Sequence, residues 1–202
     1  MNPRAMPRII LSLSLALMLP LGGCDIADPV GPPPLEGAAI GGPFELVGGD
    51  GETVRWSDFD GQYRTIYFGF TNCPDICPTD MQRTMQGYHK FAESHPELAA
   101  KVQPIFVSVD YGRDTPETVT EFAAAFSDHL LGLTGSKEQL DQATKNFASP
   151  YTVDPTGGAD GSYEVTHYSY SYLFGPDGEP ITTLPTDLGA DAVAAELAKW
   201  VR

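Results

Sequence analysis

The sequence predicts an α/β domain in which helices flank a central mixed β-sheet. Two nearly continuous apolar runs, residues 64–70 and 102–109, have the pattern of strands that are buried on both faces. Segments with helical spacing alternate with these strands, which favours right-handed βαβ units. An alternating aromatic run near the end of the chain adds a further strand.

The first half of this domain is predicted to contain a hairpin, a strand, a helix and a second strand. Short apolar stretches on either side of the turn 48–51 predict the hairpin. After the strand over 64–70, a helix is predicted with Pro78 at its first helical position. The strand over 102–109 follows. The apolar face of the helix is marked by Met81, Met85, Tyr88 and Ala92.

Capping residues predict where the next two helices begin. Thr115 and Pro116 are suited to the N-cap and the first helical position of the second helix. A short strand over 130–133 comes next. Ser136 and Gln139 then form a capping box for the third helix.

The end of the chain is predicted to form a β-hairpin and a closing helix. Aromatic residues alternate with serines over 168–174, which is the period of a strand. The turn 176–178 leads to a strand over 180–184, and Thr186 is predicted to cap the last helix. A thioredoxin-like fold with β-hairpin additions at both ends satisfies this order of elements. Other α/β arrangements satisfy it as well.

The first 23 residues are predicted to be a lipoprotein signal peptide. Arg4 and Arg8 precede an apolar run over 9–21 that is too short for an ordinary membrane-spanning helix. The sequence Leu-Gly-Gly-Cys at 21–24 resembles a bacterial lipobox, in which Cys24 would become the lipidated first residue. The alternative is a plain signal peptide with an incidental cysteine.

This interpretation divides the chain into three parts. Residues 1–23 are the signal, residues 24–42 are a lipid anchor with a tether rich in proline and glycine, and residues 43–202 are the domain. It also predicts a location on the periplasmic side of the bacterial inner membrane. Asp25 agrees with that location, because aspartate after the lipidated cysteine favours inner-membrane retention in some bacteria.

The acidic composition argues against nucleic acid as a partner. The whole chain has a net charge of −15, and without residues 1–23 it carries 10 lysines and arginines against 27 acidic residues, a net of −17. Such a surface repels phosphate backbones and anionic bilayers, so the lipid is the expected tether. The acidity fits either solubility in a salty habitat or steering toward a positively charged partner.

Two cysteines remain once Cys24 is assigned to lipid, and they lie in the segment Cys73-Pro74-Asp75-Ile76-Cys77-Pro78. Because each precedes a proline, the segment is predicted to be a loop, with Cys77 near the helix N-cap. The positive end of the helix is expected to favour thiolates, which bind metals or attack disulfides. A passive structural disulfide is the remaining alternative.

A third soft or borderline ligand would complete a site suited to Cu(I). The chain offers four histidines. His89, His95 and His129 lie on or at the ends of predicted helices, where surface roles are expected. His167 stands at the start of the strand predicted over 168–174, and in a thioredoxin-like sheet that strand end lies beside the cysteine loop. A lone histidine is more often structural than a ligand.

The cysteine segment with its preceding strand, residues 67–78, resembles the signature of the Sco/SenC copper chaperones of cytochrome c oxidase assembly. Residues 108–117, 132–135 and 165–167 are similar to three further blocks of that family, in the same order. The resemblance covers about residues 44–202. It implies a thioredoxin-like fold with an inserted hairpin, and one copper ion per chain, as Cu(I) or Cu(II), held by Cys73, Cys77 and His167.

The resemblance also implies a role and partners. The implied role is delivery of copper to the binuclear copper centre of cytochrome c oxidase, or reduction of that centre's cysteines. The copper-bearing oxidase subunit is the implied partner, beside other periplasmic copper chaperones or thiol reductases. This chain departs from the family by having Thr166 where aspartate is usual, Tyr111-Gly112 for Pro-Glu, and Tyr168 for serine. These departures concern metal tuning and partner contacts.

The same residues are compatible with three other functions. A membrane-tethered thiol–disulfide oxidoreductase would use Cys73 and Cys77 directly, although such enzymes have two residues between the cysteines and a proline facing them. A peroxidase would need a single activated cysteine supported by residues such as Thr71 and Arg83 or Arg113. A copper buffer or sensor without a delivery partner has the same ligands as a chaperone.

Overall fold

The computed structural model describes residue 1, residues 31–157 and residues 163–202. The predicted signal peptide and Cys24 lie outside the described residues. The strands are β1 Glu45–Val47, β2 Thr53–Arg55, β3 Tyr63–Gly69, β4 Val102–Ser108, β5 Leu131–Leu133, β6 Tyr151–Asp154, β7 Glu164–His167, β8 Ser171–Phe174 and β9 Pro180–Leu184. The helices are α1 Ile76–Ser94, α2 Pro96–Ala99, α3 Pro116–Ala124, α4 Lys137–Asn146 and α5 Ala190–Trp200.

The predicted α/β fold with a central mixed sheet is confirmed. The sheet has the strand order β5-β4-β3-β8-β9. Strands β3, β4 and β5 are parallel to one another, whereas β8 pairs antiparallel with β3, and β9 pairs antiparallel with β8. Every residue of β3 is buried, which explains its continuous apolar sequence. Strands β1 and β2 form the predicted N-terminal hairpin, and β8 and β9 form the C-terminal one.

A separate hairpin, β6–β7, lies between α4 and the C-terminal strands. Its strands pair antiparallel, with Tyr151 opposite His167 and Asp154 opposite Glu164. The sequence pattern did not predict these strands, whose exposed residues give them only a weak periodicity. The family resemblance did imply an inserted hairpin, and it matters because it carries His167.

The helix caps predicted at Thr115 and Ser136 are confirmed. Each side chain accepts a hydrogen bond from the backbone N–H three residues later, at 3.3 Å in both cases. The cap predicted at Thr186 is wrong. Thr186 begins a short 3₁₀ helix, Thr186–Leu188, and α5 starts two residues beyond it after Gly189, which has a φ of 91°.

The cysteine segment is more helical than predicted. Helix α1 begins at Ile76 with Asp75 as its N-cap, so Cys77 and Pro78 belong to its first turn. Proline is tolerated there because the first backbone N–H groups of a helix have no intrahelical acceptor. Cys77 is therefore helical, although the proline that follows it disfavours helical dihedral angles.

The strand predicted over 168–174 is too long by three residues. Strand β8 begins at Ser171, and His167 ends β7 of the other hairpin. Tyr168 and Tyr170 lie on the surface, 53% and 49% exposed, with their rings stacked at 6.1 Å between centroids. The alternation of aromatic residues with serines therefore begins before β8, at residues that lie outside the sheet.

Part of the predicted tether lies against the domain. The Leu35 N–H donates to the Ile181 carbonyl at 3.0 Å, and the Gly41 N–H to the Asn146 carbonyl at 2.9 Å. Leu35 and Ile40 pack on the hydrophobic core. Among the described residues, no helix is both long enough and apolar enough to cross a membrane.

Candidate metal centre

The two cysteines lie where the central strand β3 gives way to helix α1. Cys73 is in the connecting loop and Cys77 is in the first turn of α1, and both are free thiols. The backbone N–H of Cys77 donates to the Cys73 sulfur at 3.4 Å. Cys77 is fully buried and Cys73 is 8% exposed, so the pair faces inward with Cys73 nearer the surface.

The histidine hairpin brings the third side chain to this pair. The His167 Nε2 lies 3.0 Å from the Cys77 sulfur. Its Nδ1 lies 3.1 Å from the Tyr168 carbonyl oxygen, which can only accept a hydrogen bond. We therefore assign the proton to Nδ1, which leaves the Nε2 lone pair directed at the sulfurs. This hydrogen bond to a carbonyl orients the imidazole ring. The side chain of Thr166, which is exposed on β7, does not do so.

These three side chains form one group of potential ligands. The two sulfurs and a ring nitrogen all lie within 4.8 Å of one another. With metal–sulfur bonds of about 2.3 Å, two ligands of one ion are at most about 4.6 Å apart, so only small movements are needed to enclose an ion. Two soft thiolates and an imidazole suit Cu(I) and Zn²⁺ better than Mg²⁺ or Ca²⁺.

Gly69 allows the end of β3 to approach the cysteines this closely. A Cβ atom at this position would lie 3.0 Å from the Cys77 sulfur and 2.8 Å from the Tyr67 ring. Tyr67 lies beneath the site and donates from its hydroxyl to the buried Asp80 at 3.2 Å. The Tyr67 and Phe70 rings both meet the His167 ring edge-on, at 5.8 and 5.6 Å between centroids.

An open cleft of about 890 Å³ leads to the site from solvent. Cys73 and His167 line it, together with Phe70, Arg113 and Tyr163. The ligands are therefore buried on one side and accessible on the other. Such a site can bind an ion and also release it to another protein.

Burial sets the protonation of the metal-free site. It raises the pKa of the Cys77 thiol well above its ordinary value, with the hydrogen bond to Cys73 acting in the same direction. The expectation that the helix N-terminus makes Cys77 a thiolate is therefore wrong, because desolvation by burial is the largest influence on its pKa and favours the neutral thiol. Burial lowers the pKa of His167, which favours its neutral, metal-binding form.

Metal affinity should consequently rise with pH. Cu(I) must displace the Cys77 proton, so the apparent affinity should increase by about tenfold per pH unit for each proton released between pH 6 and 8. Because burial lowers the pKa of His167, proton competition at its imidazole should be smaller than at an ordinary histidine. Competition with a Cu(I) chelator, corrected for the chelator's own protonation, measures the slope. A flat profile would show that Cys77 is already a thiolate.

The other predicted residues lie where the sequence placed them or away from the site. His89, His95 and His129 are exposed, as expected. The Thr71 hydroxyl donates to Asp114 at 2.6 Å, and Arg83 bonds the Thr186 carbonyl at 3.3 Å. Neither side chain is thereby arranged to activate a peroxidatic cysteine.

Sequence reasoning assigned no role to the residues that surround the ligands. Tyr67 begins the block that resembles the family signature and Asp80 lies in α1, but sequence reasoning assigned neither residue a role at the site. Asp110 lies in a segment that was matched to the family without a role, and Tyr163 just precedes β7. The only available signal was the concentration of polar residues over 108–115, directly after a buried strand.

Comparison with known proteins decides the family. A sequence model described as SCO1/SenC matches residues 32–202. The chain belongs to the SCO1/SenC family. The family resemblance found in the sequence is thus confirmed over nearly the whole described part of the chain.

Individual Sco proteins agree with this assignment. The human mitochondrial protein SCO1 homolog is 36% identical over 81% of this chain and 53% of its own length. Protein SenC of Rhodobacter capsulatus is 39% identical over 69% of this chain and 60% of its own. This Sco chain spans about half the length of the first curated relatives it matches.

Solved Sco structures share the fold. The structure of Bradyrhizobium japonicum ScoI with copper bound superposes with a TM-score of 0.71 and 31% identity, covering 81% of this chain and 100% of the other. The predicted thioredoxin-like fold is confirmed by these relatives. Copper is bound in that neighbour, and Cys73, Cys77 and His167 are the residues of this Sco chain that could hold a metal ion.

Proposed function

We propose that this Sco protein is a copper-binding metallochaperone for the assembly of cytochrome c oxidase. The observation that carries the proposal is the convergence of two buried thiols and an imidazole within 4.8 Å, in a chain whose solved relatives include copper-bound proteins. Cys73, Cys77 and His167 are the proposed ligands of one copper ion. The copper is cargo, destined for the binuclear centre of the oxidase.

The shape of the site supports transfer rather than permanent storage. Cys73 and His167 line an open cleft, whereas Cys77 lies behind them at 0% exposure. A thiol of the receiving subunit can therefore approach the ion from the solvent side. Exchange of thiolate ligands through such a shared intermediate needs no change in the fold. The copper-bearing oxidase subunit is the proposed partner, with other periplasmic copper chaperones or thiol reductases acting before it.

A thiol–disulfide oxidoreductase is the second candidate function. It is favoured by one observation, the two free thiols of Cys73 and Cys77, whose sulfurs lie within 4.8 Å of each other. The raised pKa of Cys77 opposes it, because the protonated thiol is a poor nucleophile at neutral pH. Reduction of the oxidase's cysteines would therefore depend mainly on Cys73 as the attacking group.

Copper stoichiometry and transfer test the proposal together. The chain from residue 24, carrying Cys24→Ser, is reduced, loaded with Cu(I) without oxygen and freed of excess metal. One copper per chain, passed on to a soluble copper-site fragment of an oxidase subunit, is the expected result. If no copper is retained but Cys73 and Cys77 cycle against a thiol buffer, the oxidoreductase replaces the chaperone.

The lipid anchor remains part of the proposal. Cys24→Ser should move the protein from the membrane fraction to the soluble fraction of the producing bacterium, since the net charge of −17 without residues 1–23 gives no attraction to anionic lipids. Copper content per chain should not change, because Cys24 is not among the proposed ligands. Fractionation with immunoblotting measures the first effect. A variant that stays with the membranes would contradict the lipobox interpretation.

A further inference from the structure

The loop between β4 and α3, residues 109–115, contacts both halves of the metal centre. One half is the cysteine segment, which enters from β3. The other is the β6–β7 hairpin, which carries His167. Asp110 and Asp114 of this loop are 1% and 7% exposed and make contacts on both sides. Buried carboxylates are costly unless they are fully hydrogen-bonded, so their partners are informative.

Asp114 fixes the chain just before Cys73. Its carboxylate accepts hydrogen bonds from the Thr71 N–H at 2.8 Å and from the Thr71 hydroxyl at 2.6 Å. It also accepts one from the Ser108 hydroxyl at the end of β4. Both donors of Thr71 are thus bound to one carboxylate, two residues before the first cysteine. The turn that leads to Cys73 is thereby tied to the central sheet.

Asp110 fixes the start of the histidine strand. Its carboxylate accepts the Tyr163 hydroxyl, while the Arg113 Nε–H donates to its second oxygen. The Arg113 guanidinium also lies 4.2 Å from the centroid of the Tyr163 ring. Tyr163 directly precedes β7, whose last residue is His167. Because β7 is paired with β6 along its whole length, a contact that fixes the start of β7 also restricts the position of the histidine at its end.

Gly112 makes the Tyr163 contact possible. A Cβ atom at this position would lie 2.7 Å from the Tyr163 hydroxyl. The hairpin has a second anchor, where the Tyr151 hydroxyl donates to Asp141 at 2.8 Å. That carboxylate is 47% exposed and paired with Lys137, so water competes for the bond. The buried contact to Asp110 should hold the hairpin more strongly.

We propose that the β4–α3 loop sets the geometry of the metal centre, with Asp114 positioning the cysteines and the Asp110–Tyr163 pair positioning His167. The inference rests on the proposed copper function. It makes Asp110, Asp114 and Tyr163 positioning residues that touch no metal. The two arms are separable, because each carboxylate serves a different ligand segment.

Tyr163→Phe tests the histidine arm, with Tyr151→Phe as the matched control on the same hairpin. In the metal-free protein, Tyr163→Phe should speed amide hydrogen exchange of residues 164–167 by about tenfold, with β4 amides as an unchanged internal reference. In the loaded protein it should weaken Cu(II) by about tenfold and alter the nitrogen couplings in its electron paramagnetic resonance spectrum. Cu(I) affinity should change much less.

Asp114→Asn tests the cysteine arm. An amide cannot accept all three hydrogen bonds, so residues 71–77 should exchange faster and Cu(I) affinity should fall by about tenfold. The proposal is overturned if Tyr163→Phe affects exchange and Cu(II) no more than Tyr151→Phe, or if Asp114→Asn binds Cu(I) normally. Should the unmodified protein bind no copper, the proposed function fails, and hydrogen exchange alone still decides whether the loop holds the two segments.

Discussion

Cys77→Ala should leave a Sco protein that retains no copper after gel filtration. The variant removes the sulfur that lies 3.0 Å from His167 Nε2 and leaves one thiol and one imidazole for the ion. Loss of a residue that merely supports a metal ligand already costs about 10–100-fold in affinity, so loss of one of the two thiolates, the ligands that Cu(I) prefers, should exceed about 100-fold. Cys73→Ala should have the same effect. Copper per chain, measured by atomic absorption, gives the result.

Cys77→Ser separates metal binding from packing. Cys77 is fully buried against the core, so alanine also leaves a small cavity. Serine fills most of that space but offers a hard oxygen that Cu(I) binds poorly. Both variants should lose copper while thermal unfolding of the serine variant stays close to that of the parent. Full copper retention by folded Cys77→Ser would remove Cys77 from the ligand set.

The sequence predicted most of the central sheet because burial leaves a strong pattern. Strands β3 and β4 are buried along nearly their whole length, and their apolar runs identify them without any structural knowledge. The caps at Thr115 and Ser136 were predictable because each has its partner close by in the sequence, Pro116 at the first helical position for Thr115 and Gln139 three residues on for Ser136. Local chemistry with a fixed spacing is the information that a single sequence carries best.

The histidine hairpin could not be predicted in the same way. Strands β6 and β7 have mostly exposed or half-exposed residues, so they lack the periodicity of a core strand. Its position at a strand end singled out His167 among the four histidines but left it open as a ligand, and the family resemblance was needed to assign it that role. The 3.0 Å contact with Cys77 joins residues that are 90 positions apart, and a contact of such long range leaves no local pattern in the sequence.

The predicted protonation of Cys77 was wrong for a related reason. The helix N-terminus was visible in the sequence, whereas the burial of Cys77 was not. Desolvation by the surrounding core is the largest cause of the raised pKa of Cys77, and it outweighs the opposing hydrogen bond from Tyr67. A long-range property therefore reversed an expectation drawn from local structure.

His167→Ala should separate the two oxidation states of copper. Cys73 and Cys77 remain, and two thiolates are sufficient for a soft Cu(I) ion, so its affinity should fall by no more than about tenfold. Cu(II) prefers nitrogen and oxygen donors in tetragonal geometry, and its affinity should fall by more than about 100-fold. The nitrogen couplings in the electron paramagnetic resonance spectrum should disappear. Parallel titrations with Cu(I) and Cu(II) measure the difference.

His89→Ala is the matched control, because that histidine is exposed on α1 and its Nε2 lies 3.2 Å from the Ser127 hydroxyl. It should bind both ions as the parent does. If His167→Ala keeps the Cu(II) spectrum of the parent, the imidazole is not a ligand and its 3.0 Å contact is only a hydrogen bond to Cys77. If instead Cu(II) alone is lost, the hairpin determines which oxidation states the site can hold, and its anchoring by Asp110 acquires a functional consequence.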